Sequence, residues 1–124
     1  MVRESLLKLQ IRSIYTSTTE MNLTPKFQAA IKQLKLETKF LEADYYPGAA
    51  DEETRLRCEK RVNAFLDKCE SLLSRSTTDR VLYRAAEELQ EQFDEENAEE
   101  AEHVGNYIGD FMKIVGLDDW TEFV

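Results

Sequence analysis

Glu100 and His103 stand three residues apart in a stretch of helix-forming residues, which places both side chains on one helical face. Glu-x-x-His is the ligand pair of di-iron carboxylate bundles. Such a centre needs a second pair and two more glutamates from neighbouring helices, and His103 is the only histidine of the chain. A single histidine also leaves little choice of catalytic base, and there is no Gly-x-Ser-x-Gly elbow. Cys58 and Cys69 form no Cys-x-x-Cys, so a standard zinc site is excluded. The acids from Asp94 to Glu102 do not follow the Asp-x-Asp-x-Asp-Gly order of a calcium loop. The four glycines build no phosphate loop, and Gly105-x-x-x-Gly109 suits close helix packing instead. The expectation is a protein without catalytic residues, cofactor or resident metal. His103 is expected as a solvated residue at the edge of an acidic face, where the surrounding charge favours its protonated form.

That acidic face is the strongest signal in the chain. Ten acids and no Lys or Arg lie between Arg84 and Lys113, and the formal net charge of the whole chain is -9. Such a surface favours a basic protein partner and disfavours nucleic acid or an anionic membrane. Glu91, Asp94, Glu95, Glu99 and Glu102 are the candidate partner-binding acids. An intramolecular counterweight exists: from Arg55 to Arg84 there are eight basic residues against four acidic ones. A basic helix lying beside the acidic one would neutralise part of the run, through exposed pairs worth about 0–1 kcal/mol each.

Asp44-Tyr45-Tyr46-Pro47 is the second candidate site. Two adjacent tyrosines at a helix end cannot both face the core of a helical bundle, so one is expected on display. Rigid aromatics beside carboxylates make good interface anchors.

The elements that would position these groups are helical. Thr24-Pro25 reads as a helix start, with Thr24 as cap and Pro25 in the first turn. Phe27, Ile31, Leu34, Thr38 and Leu41 then carry the helix to about Ala43, before Tyr46-Pro47-Gly48 turns the chain. Asp51 caps the next helix, with Glu52 and Glu53 in its first turn. Val62, Phe65, Leu66, Cys69, Leu72 and Leu73 form its core stripe. Cys58 and Cys69 fall on one side of that helix but roughly 16 Å apart, too far for a disulfide, and read as core residues. Ser76 with Asp79 matches a capping box for a further helix. From about 77 to 115 there is either one helix with a solvated middle or two that meet near Asn97. Gly116 suits the final cap, and Trp120 and Phe123 are expected to dock as a short turn. Residues 1–20 carry both a strand alternation and a helical face. They are expected as an N-terminal appendage with a short helix, followed by a domain over 21–124. The fold class is all-α, a single-domain bundle of four to five helices.

Asp44, Tyr45, Tyr46 and Pro47 resemble the Tyr-Tyr-Pro motif of the immunity proteins of DNase colicins, and Asp51, Glu52 and Glu53 echo the acids that follow it there. Those are small acidic four-helix proteins that dock the motif on the basic surface of a nuclease. In that family the Asp precedes the first Tyr by three residues; here it is adjacent. The general layout is also similar to small uncharacterised bacterial proteins of this length. The resemblance implies a non-catalytic protein-binding module, in concrete form an immunity protein that neutralises a basic toxin such as a nuclease, with Asp44, Tyr45, Tyr46, Asp51 and Glu52 in the interface. The alternatives are a self-associating structural or regulatory helical protein, present as a homo-oligomer, and a metal-dependent enzyme through Glu100 and His103. No stretch approaches the roughly 20 apolar residues of a membrane span, and nothing reads as a secretory signal, so a cytoplasmic location is expected.

Overall fold

The computed structural model describes residues 19–117. Among them the order is β1 (Glu20–Met21), α1 (Pro25–Leu36), α2 (Glu52–Ser74), β2 (Thr77–Thr78), α3 (Asp79–Gln92) and α4 (Ala98–Ile114). The fold is all-α, four helices around one core, with a two-residue antiparallel pairing of Glu20 with Thr78 and Met21 with Thr77. The expected N-terminal helix and the docking of Trp120 and Phe123 lie outside the described residues.

The starts of α1 and α2 follow the sequence expectation. Thr24 Oγ1 accepts from the Phe27 N–H at 3.0 Å, and Asp51 Oδ1 accepts from the Thr54 N–H at 2.7 Å. The core stripe of α2 is buried except for Leu72, which is partly buried, and Cys58 and Cys69 are buried as free thiols. Burial pushes those thiols up, Cys58 to about 11 and Cys69 to about 12.

Two boundaries differ from expectation, and one open choice is resolved. First, α1 stops at Leu36 instead of continuing to about Ala43. Lys39 bends back and its Nζ donates to the Leu34 and Glu37 carbonyls at 2.5 and 2.8 Å, placing a cation on the negative end of the helix. Phe40 then adopts φ 62° and drops its ring into the core, 5.7 Å from Phe93 and nearly parallel to it. Second, α3 is capped by Thr78, whose Oγ1 accepts from the Val81 N–H at 3.3 Å, and not by Ser76. The strand pairing extends Thr77–Thr78 into the cap geometry, while Ser76 sits at φ 66° with its hydroxyl bonded to Asn22. Of the two alternatives for 77–115, the structure has two helices that meet at Asn97. Asn97 caps α4, its Oδ1 accepting from the Glu99 and Glu100 N–H groups at 3.1 and 3.2 Å. α4 ends as expected at Gly116, at φ 81°, with the Leu117 N–H bonded to the Met112 carbonyl at 2.7 Å in a Schellman arrangement. Gly105, in contrast, has no atom within 4 Å of where a Cβ would stand, so it does not mediate close helix packing.

The basic residues of α2 do lie against the acidic segment. Arg57 and Arg61 both pair with Glu96, at 2.9 and 2.8 Å, and Lys68 pairs with Glu88 at 2.8 Å. Arg61 also lies over the Phe93 ring, 5.5 Å from its centre. The contacts to Glu96 and Phe93 fasten the turn between α3 and α4 to α2, and the Lys68–Glu88 pair ties α3 itself to α2.

Candidate partner-binding site

Residues 37–51 run from α1 to α2 without a helix, and three pins hold them. Lys39 is 2% exposed on the end of α1. The Phe40 N–H donates to the Tyr107 hydroxyl at 2.7 Å. Tyr46, the third, inserts its ring into the core and donates its hydroxyl to Glu100 Oε2 at 2.5 Å. Pro47 and Gly48 then lead away. Gly48 has φ 88°, and a Cβ there would stand 3.1 Å from the Glu42 nitrogen, so this turn requires glycine.

Ala43 and Tyr46 exchange two backbone hydrogen bonds of 2.9 Å and close a four-residue turn. Tyr45 is its third residue and has φ 64°. That position normally takes Gly or Asn. A side chain there points out of the turn, and Tyr45 is 107% exposed. Of the two tyrosines, then, Tyr45 is displayed and Tyr46 is 5% exposed. Tyr46 presents almost no surface to a partner. Its role is to hold the turn, and burial with the Glu100 contact raises its phenol far above the ordinary value.

Glu100 is the unexpected member of the acidic run. It is 1% exposed, and its Oε1 has no hydrogen-bond partner among the described residues. His103 stacks on Tyr46 with ring centres 4.0 Å apart and planes within 10°. Its ring also meets Phe40 and Tyr107 edge-on, and Asn106 Nδ2 lies 3.3 Å from its Nδ1. The expectation of a solvated, readily protonated histidine is therefore corrected. Burial among aromatic rings lowers the His103 pKa, and the Glu100 carboxyl opposes this only in part. Glu100 faces Tyr46 and the core, and no group of three or more His, Cys, Asp or Glu converges as metal ligands among the described residues.

A pocket of about 220 Å³ opens between the turn and α4, lined by Asp44, Tyr45, Tyr46, Glu99, Glu102, His103 and Asn106. It brings together five of the sequence candidates: Asp44, Tyr45, Tyr46, Glu99 and Glu102. Glu91, Asp94 and Glu95 sit at the end of α3 and in the following turn, outside the pocket but exposed. None of Asp44, Glu91, Asp94, Glu95, Glu99 and Glu102 forms an ion pair among the described residues. Asp51 and Glu52 are exposed but engaged at the start of α2, Asp51 as the cap and Glu52 with Arg55 at 2.8 Å. His103 and Asn106 were missed as pocket residues. His103 lies four residues after Glu99 and Asn106 four after Glu102, a helical spacing that could have indicated both.

No helix among the described residues is long and apolar enough to cross a membrane. Residues 14–122 match the family described as a domain of unknown function, DUF4844, and the chain belongs to that family. No curated protein and no solved structure matches the chain, so a relation to the colicin immunity proteins is not shown.

Proposed function

We propose that this member of the DUF4844 family is a non-catalytic binding protein that offers Tyr45 and the surrounding carboxylates to a basic protein. The observation that carries the reading is Tyr45 itself. A tyrosine occupies a glycine-type turn position with its ring exposed, and six carboxylates that form no ion pair among the described residues lie on the same loop, in the first turns of α4, at the end of α3 or in the turn after it. Backbone of this kind costs on the order of 1–3 kcal/mol per residue and persists where the surroundings enforce it, often at binding sites. An exposed tyrosine ring buries a large area on contact at a low entropic cost. Carboxylates speed the encounter with a basic surface, and the ring slows release.

An immunity protein that covers a basic toxin, a nuclease among them, is the concrete form of this reading. The basic surface of such an enzyme is the natural complement of a chain with formal net charge -9. The immobilised chain is tested against its native lysate, with Tyr45→Ala as the paired control. A basic protein held by the wild type should be released at about 0.5 M salt, where screening shortens to a few ångströms, and should be lost from the variant. Equal retention by both forms would remove Tyr45 from the interface. The second reading, self-association, is favoured by the same exposed ring. Sedimentation separates the two, since a tight dimer that Tyr45→Ala dissolves supports self-association and a monomer supports the heterologous partner.

A further inference from the structure

We propose that the pocket between the 43–46 turn and α4 receives an arginine side chain of the basic partner. This rests on the reading above and names the group that the site would take. The pocket, about 220 Å³, admits a guanidinium with part of its aliphatic stem. Carboxylates come from two directions, Asp44 on the turn and Glu99 with Glu102 on α4, and no Lys or Arg lines the space.

This corner of the molecule has carboxylates at the rim and behind it, and no Lys or Arg lines it. At the rim, the three carboxylates form no ion pair among the described residues, so none of them is neutralised by a neighbouring Lys or Arg. Glu100 does not line the pocket; it is 1% exposed behind Tyr46, which it holds through one oxygen, and its carboxyl adds a further negative group on the protein side of that wall. The rim carboxylates repel an anion and attract a cation. The lowered His103 pKa keeps that ring uncharged at neutral pH, so it adds no opposing charge.

Arginine fits better than lysine for reasons of shape. Its planar fork reaches two carboxylates at once and its face lies on an aromatic ring, here the free ring of Tyr45. An ammonium can do only the first, and as a point charge.

The test uses the full chain, labelled with nitrogen-15 and titrated with N-acetyl-arginine methylamide. The matching lysine derivative and the citrulline derivative, a neutral isostere of arginine, serve as comparisons. Saturable shifts should gather at residues 44–46 and 99–106. The arginine derivative should bind at least about fivefold more tightly than citrulline, the order expected of one charge-assisted contact with a ring. The paired variant Glu99→Gln with Glu102→Gln, and separately Tyr45→Ala, should each weaken it by a similar factor, with the helical circular dichroism unchanged because all three side chains are exposed. Citrulline binding as well as arginine overturns the proposal, and so do shifts without saturation or ones that persist in the paired variant. Equal affinity for the lysine derivative overturns the choice of arginine. Should arginine fail while the whole chain still captures a basic protein through Tyr45, the pocket assignment falls and the wider acidic-face reading stands.

Discussion

Replacing Tyr46 by Phe deletes one oxygen and leaves the ring in place. The ring keeps its stack on His103 at 4.0 Å and its edge contact with Phe40 at 6.3 Å. Glu100, 1% exposed, loses the only hydrogen bond made by its carboxyl among the described residues. Stranding a buried acceptor costs about 1–3 kcal/mol, so the expected loss is about 2 kcal/mol. For a domain of this size that is a fall of about 8 °C in Tm. Urea unfolding followed by far-ultraviolet circular dichroism measures it, with an unchanged m-value showing that the transition remains the same. Adding Glu100→Gln, alone and together with Tyr46→Phe, completes a double-mutant cycle, where a coupling of about 1–2 kcal/mol is expected for two groups in contact. A loss under about 0.5 kcal/mol with no coupling would refute the reasoning, because it would mean that water reaches the carboxyl in solution and replaces the phenol.

Tyr45 should behave in the opposite way: Tyr45→Gly relieves a left-handed backbone and removes no buried contact, so stability should rise by about 1 kcal/mol in the same urea assay. Asn97→Ala removes the side-chain acceptor for two N–H groups at the start of α4 and should cost about 1 kcal/mol, read from the urea midpoint. The His103 pKa is lowered in the folded state from an ordinary value of 6.5, so the unfolded chain takes up the proton first as pH falls. Its contribution is therefore fully present above about pH 6.5 and is lost as pH drops below that value. Urea midpoints at pH 7.5 and 5.5 should differ, and His103→Gln should shrink the difference.

The sequence made legible the parts in which one residue type has one physical use. Thr24 before Pro25, Asp51 before two glutamates, and Gly116 after Val115 each mark an end by the hydrogen bonds they can make, and all three ends stand where expected. The end of α1 was not legible, because Phe40 and Leu41 sit at helical spacing. Only the core shows that Phe40 enters from a left-handed turn while Leu41 remains 52% exposed. The pairing of Glu20–Met21 with Thr77–Thr78 is too short to leave an alternation. At the site, the sequence showed that one tyrosine must be displayed and could not say which. It also hid Glu100, since a glutamate among glutamates carries no mark of burial and this residue type is almost never fully buried without a partner. What singles it out is Tyr46, 54 positions earlier in the chain.

The two thiols of α2 have no accessible surface. An alkylating reagent can reach Cys58 or Cys69 only when the helices around them part, and it attacks the thiolate, which burial suppresses in the native state. Their modification rate is thus a built-in clock for the opening of the core. One reagent and one mass measurement per time point give that rate without any engineered label. A ligand that closes the structure, whether a toxin or a second copy of the chain, would slow the clock by the factor with which it binds.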